Sequence, residues 1–155
     1  MIRTKKRLWI CCFLLSLNLI FIWGNSLLPG EVSGALSDAV KDILAPLFGG
    51  TPGSPSGGGL LRKLAHFTEF TCLGLCLRWL FGMLRQKPLE YMTFPLLCGI
   101  AAAGIDETIQ RFVPLRGPSI KDVGIDTLGV ILGIVIISLI QIKKKRIKIL
   151  EENKL

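Results

Sequence analysis

The sequence predicts an all-α membrane protein, a four-transmembrane-helix bundle with an amphipathic interfacial helix and a flexible linker in its first external loop. Three observations predict it. Half of the 155 residues are hydrophobic and only 19% are charged, which is less charge than soluble domains carry and too apolar for disorder. The apolar residues gather into four runs, each close to the roughly 20 residues that a helix needs to cross a bilayer. The net charge of +8 sits at the chain ends and in short joints between those runs. That layout belongs to retained cytoplasmic segments and argues against nucleic acid as a partner. The chain, 1–155, reads as a single domain.

The first run, 8–28, carries no charge, and Asn18 and Asn25 are its most polar members. Arg3, Lys5, Lys6 and Arg7 before it resemble the start of a signal peptide. The run is too long for that, however, and Trp23-Gly24-Asn25-Ser26 offers no small-x-small cleavage site, so an uncleaved span is expected. Pro29-Gly30 stops it. Val32, Ala35, Leu36, Ala39, Val40, Ile43, Leu44, Leu47 and Phe48 then recur at a helical period, with Glu31, Ser37, Asp38, Lys41 and Asp42 opposite. This predicts an amphipathic helix over 32–48, lying on the membrane surface or capping the bundle. The Gly-, Ser- and Pro-rich stretch 49–59 reads as a flexible linker, and no Gly-Lys-Ser/Thr follows it to make a phosphate loop. The second span is expected over 64–84, the third over 91–113 and the fourth over 120–142, followed by a basic tail over 143–155.

Lys and Arg set the orientation. With the N-terminus inside, the cytoplasmic side receives the N-terminal cluster, Arg78, Arg85, Lys87, and Lys143, Lys144, Lys145, Arg146, Lys148 and Lys154. Lys41, Arg62, Lys63, Arg111, Arg116 and Lys121 fall outside. Both termini are therefore expected in the cytoplasm, with the bilayer as the main partner. The five cysteines lie in apolar stretches with no C-x-x-C pair or metal spacing, and read as small packing residues. Arg78 is expected to snorkel to the cytoplasmic face, Arg62 to anchor the external interface, and Gly129-x-x-x-Gly133 to pack helices.

Ionisable groups within spans are costly and point to function. On the second span Lys63, His66 and Glu69 recur every third residue. The third ends with Asp106, Glu107 and Gln110, and the fourth begins with Asp122 and Asp126. The joint 111–119 holds Pro114, Gly117 and Pro118, stiff enough to place Arg116. A four-helix arrangement brings these residues together at the outer end as one polar pocket. His66, Glu69 and Glu107 are the candidate catalytic groups. Lys63, Asp106, Gln110, Arg116, Asp122 and Asp126 are the candidate binding groups.

The blocks Lys63-x-x-His66-Phe67-x-Glu69-Phe70, Glu107-x-x-Gln110-x-Phe112-x-Pro114-x-Arg116 and Asp122-x-x-x-Asp126-x-x-Gly129-x-x-x-Gly133 resemble the signature blocks of the VanZ-like family. Ser26-Leu27-Leu28-Pro29 is a weaker echo. Asp126 departs from the family, where Asn is more frequent. The resemblance implies a small multi-pass protein of the bacterial inner membrane, linked to resistance to the glycopeptide teicoplanin and hence to the outer leaflet, where lipid-linked cell-wall precursors are exposed.

Three functional classes fit these residues. One is a binder or modulator of a lipid-linked precursor. The second is a membrane enzyme acting on a lipid-linked phosphate or acyl substrate. His66 is then the general acid or base, Glu69 or Glu107 orients it, and Arg116 with Lys63 holds a phosphate or carboxylate. The third is a small transporter, which would need to form a homo-oligomer. No cofactor and no metal ligand is assigned. A single histidine excludes a His-rich zinc site, and Mg²⁺ or Mn²⁺ on Glu69, Asp106, Glu107 and Asp122 is the alternative.

Overall fold

A computed structural model of the chain describes residues 2–44, 58–85 and 87–152. Its described elements are five α-helices: α1 (Ile2–Ser26), α2 (Gly30–Leu44), α3 (Gly58–Leu84), α4 (Pro88–Arg111) and α5 (Ile120–Glu152). Four of them, all but α2, are long and apolar enough to cross a membrane. The expected all-helical bundle with an added amphipathic helix is the one observed.

The helix ends differ from the hydropathy limits because charged residues continue a helix where apolar content stops. Lys, Arg and Glu are good helix formers, so α1 begins at Ile2 and α5 runs on to Glu152. At the other end α1 stops at Ser26, before Pro29. Helix α4 starts at Pro88, a position where the missing N–H is not needed, and ends at Arg111 rather than 113. Gly58 and Gly59, expected as linker, form the first turn of α3. The rest of the expected linker, and positions 45–48 of the expected amphipathic helix, lie outside the described residues.

Helix α3 is the central element and touches the four others. Its closest partner is α5, which runs parallel to it. A Cβ at Gly129 would meet the carbonyl oxygen of Phe67, one at Gly133 that of Thr71, and one at Gly74 that of Val130. Small residues on both helices thus let the backbones touch, the way membrane helices associate without a hydrophobic driving force. Helices α1 and α4 run antiparallel to α3. Cys11 donates to the carbonyl of Cys76 at 3.5 Å and Asn25 reaches Glu69, while Phe81 stacks on Phe94 at 5.7 Å.

Ile22, Phe70, Leu73, Leu77, Ala102, Ala103, Val130 and Ile134 form the core. Trp9, Phe13, Leu17, Ile20 and Phe21 of α1 all point outward. An apolar surface on that scale suits lipid as the solvent. Five free cysteines are present; Cys11 is buried, but Cys72 and Cys98 are exposed on the outside of the bundle rather than packed within it.

The antiparallel arrangement gives the bundle two ends. One gathers the end of α1, the start of α3, the end of α4 and the start of α5. The other gathers the start of α1, the end of α3, the start of α4 and the end of α5. The polar residues of the sequence analysis lie at the first end.

Candidate functional site

The site end is closed by the joint between α4 and α5. Leu115 adopts a left-handed backbone with φ 58°, a conformation that costs a non-glycine residue roughly 1–3 kcal/mol. This kink presses the joint onto the turn between α1 and α2. The Gly30 N–H donates to the Pro114 carbonyl at 3.1 Å, and Gly30 leaves no room for a Cβ beneath the Leu115 carbonyl.

The kink delivers Arg116 to the C-terminal end of α1. Its Nε donates to the Leu28 carbonyl at 3.1 Å and its Nη2 to the Asn25 carbonyl at 2.8 Å. A cation there satisfies carbonyls that the helix leaves open and complements the negative end of its dipole. Arg116 is only 9% exposed. Burial pushes its pKa down from the ordinary value and Arg62 adds to that, while Asp106, Glu107 and Glu69 oppose it. The guanidinium stays charged. Nη1 has no hydrogen-bond partner among the described residues. The fork expected to hold a ligand is thus largely engaged in holding α1, with one nitrogen left over.

His66 faces Asp106. Its Nδ1 is 3.7 Å from Asp106 Oδ2, so Asp106 is its nearest carboxylate, in place of the expected Glu69 or Glu107. Gln110 Nε2 donates to the same Asp106 oxygen at 2.8 Å and to Ser26 Oγ at 3.3 Å. Asp106 is fully buried and Asp126 is 2% exposed. Ligand atoms of His66, Asp106 and Asp126 lie within 4.8 Å of one another.

The other candidates surround this centre. Glu69 Oε1 accepts from Asn25 Nδ2 at 2.9 Å. Glu107 Oε2 accepts the Ser119 backbone N–H at 2.7 Å, fixing the residue before α5. Ser119 in turn accepts the Lys121 N–H through its hydroxyl, an arrangement that starts the helix. Lys63 Nζ lies 3.4 Å from Asp122 Oδ1 near the surface.

Cavities open among these groups. A cavity of about 10 Å³ is lined by residues including Arg62, His66, Glu107, Gln110 and Asp126. Another of about 80 Å³ is lined by Asn25, Ser33, Ser37, Arg62, His66, Glu69 and Arg116 among others. The second shares Leu36, Ser37, Ala65 and Glu69 with a groove of about 590 Å³ between α1, α2 and α3, which Phe21, Val40, Leu61 and Leu64 also line.

Several contributors escaped sequence reasoning. Arg62, read as an interfacial anchor, lines both cavities. It precedes His66 by one helical turn, a spacing that puts both on one face. Asn18 and Asn25 are seven apart on α1, and both reach Glu69. Helix α2 turns Ser33 and Ser37 towards the second cavity, while Val32 and Ile43 are exposed. Ser33 and Ser37 thus cover the cavity together with Leu36, Val40 lines the adjoining groove, and Val32 and Ile43 face outward.

Comparison with curated proteins and with solved structures finds no match. A model of the VanZ/LLP1 family matches residues 8–141, a stretch that contains every candidate site residue, all of α3 and α4 and most of α1 and α5. This chain is a multi-pass membrane protein that belongs to the VanZ/LLP1 family.

Proposed function

We propose that this protein binds a lipid-linked anionic precursor of the cell envelope, and through it contributes to glycopeptide resistance. One observation carries the reading: the polar cavity with Arg62, His66 and Arg116 adjoins the apolar groove across a shared wall of Leu36, Ser37, Ala65 and Glu69. A phosphate suits the cationic cavity, where Nη1 of Arg116 is free to donate. A polyprenyl or acyl chain suits the groove. The basic residues at the opposite end favour an inner-membrane orientation with both termini cytoplasmic and the site in the outer leaflet.

The His66–Asp106 couple also supports a second reading, a membrane enzyme in which His66 moves a proton on the bound phosphate or acyl group. One experiment separates the readings. Purified protein in lipid nanodiscs is incubated with a polyprenyl-pyrophosphate-linked precursor, and both are followed by mass spectrometry. Stoichiometric retention supports binding, a changed precursor mass supports the enzyme, and absence of either overturns both. Leu36→Trp, which fills the shared wall, is expected to cut retention at least about 10-fold, equivalent to about 1.4 kcal/mol, without lowering the unfolding temperature.

A further inference from the structure

We propose that His66, Asp106 and Asp126 form a binding site for a first-row divalent cation, with Mn²⁺ and Zn²⁺ as the fitting ions. The three residues come from three helices, α3, α4 and α5, and their ligand atoms already lie within 4.8 Å of one another. Modest side-chain adjustment closes that triangle around one ion.

The state of these atoms points to a ligand. Asp106 has no exposed side-chain surface, yet its Oδ1 has no hydrogen-bond partner among the described residues. Nδ1 of His66 is likewise buried and unpartnered. A buried acceptor left unsatisfied is destabilising, and more so for a carboxylate. Beside them lies the cavity of about 10 Å³, lined by both His66 and Asp126, room for roughly one water-sized body.

Charge leads to the same conclusion. Asp106 and Asp126 are the two most buried carboxylates of the site. Among the described residues no Lys or Arg lies within ion-pair distance of either. Lys63 is paired with Asp122 and Arg116 with the carbonyls of α1. Paired aspartates at membrane depth call for a counter-charge, and a divalent cation supplies it to both.

The donor set selects the class of ion. One imidazole nitrogen with two carboxylates suits Mn²⁺ or Zn²⁺, whereas Mg²⁺ and Ca²⁺ prefer oxygen alone. Of the oxygen set expected from sequence, Asp106 belongs to this group, whereas Glu69, Glu107 and Asp122 do not join it and contact Asn25, Ser119 and Lys63 instead. Gln110 supplies the outer support, bonding Asp106 Oδ2 and Ser26 together, as metal-ligating carboxylates usually require.

The site stands independently of the lipid reading, since its test uses the metal alone. The full chain, purified in detergent and stripped with a chelator, is titrated with Mn²⁺ and followed by electron paramagnetic resonance. Zn²⁺ is measured by competition. The expected result is a stoichiometric bound ion whose spin-echo spectrum shows coupling to an imidazole nitrogen. Asp106→Asn is expected to weaken binding at least about 100-fold and Gln110→Ala about 10-fold. Asp38→Asn, on the exposed side of α2, is expected to leave it unchanged. The nitrogen coupling is read on the wild-type chain, so the result stands even where a variant fails to accumulate. Absence of binding of either ion at millimolar concentration, or bound Mn²⁺ without nitrogen coupling, overturns the site.

Discussion

Each end of this bundle buries an arginine, and the two are solved differently. Arg78, expected to snorkel out of the membrane, is instead 3% exposed. Its Nε donates to Ser138 Oγ at 3.1 Å, its Nη2 to Gln141 Oε1 at 2.8 Å, and its guanidinium lies 4.2 Å from the centre of the Tyr91 ring. Gly82 makes room for Nη1, which a Cβ there would meet at 2.8 Å. Every one of these partners is neutral, and Nη1, like that of Arg116, has no hydrogen-bond partner among the described residues. At the site end Arg116 also binds neutral carbonyls, but it stands among Glu69, Asp106 and Glu107, and around it lie buried ligand atoms on His66, Glu69 and Asp106 without partners. A cation wrapped by dipoles and a π face stabilises helix packing. Carboxylates with unused oxygens beside a cavity leave work for something that binds. The teaching of the pair is that a buried charge within a span is a sign of function where acidic and imidazole atoms around it are left open, and not from its own unpaired nitrogen alone.

The largest expected effect comes from Arg116→Ala. It removes two charge-assisted hydrogen bonds that tie the joint to α1, and is expected to lower stability by about 3 kcal/mol and to abolish precursor retention. Thermal unfolding in detergent and nanodisc retention measure the two. Arg78→Met sharpens the comparison. It is expected to cost about 2–3 kcal/mol for the lost bonds to Ser138 and Gln141, yet the protein that folds should retain precursor normally. Loss of retention in Arg78→Met would erase the distinction between the ends.

His66→Gln is expected to change stability by no more than about 1 kcal/mol, since Nδ1 makes no hydrogen bond, and still to abolish retention. A large loss of stability with retention intact would make His66 a structural residue like Arg78. The smallest effect is expected from Lys63→Ala. Its pair with Asp122 is partly exposed, with Lys63 at 44%, and such pairs contribute less than about 1 kcal/mol. Retention should weaken a few-fold at low salt, and the difference should fade as screening rises.

Much of the bundle was legible in the chain. The four apolar runs follow from bilayer thickness, which demands length before any packing is specified. Lys63, His66 and Glu69 were placed on one face by the helical period, and the stiffness of the α4–α5 joint by its prolines. The limits of the helices were less legible, because Lys143 to Glu152 continue a helix that hydropathy ends. Arg78 and Arg62 were misjudged for one reason: depth in the membrane is written in sequence position, but the direction a side chain faces is not.

That direction belongs to the tertiary structure. Sequence alone determined that acids, a histidine and an arginine gather at one end of four antiparallel helices, since spacing and turn chemistry are local. Only the packed bundle decided which of them meet. Close contact of α3 with α5 at Gly74, Gly129 and Gly133, and of α4 with α5 where Gly99 meets the Val130 side chain, limits how far each helix is rotated, and in that packing Asp106, not Glu69 or Glu107, faces His66. The left-handed backbone at Leu115 then sends the fork of Arg116 to the carbonyls of α1. A helical period repeats every turn and leaves the rotation of each helix free; contact between backbones removes that freedom.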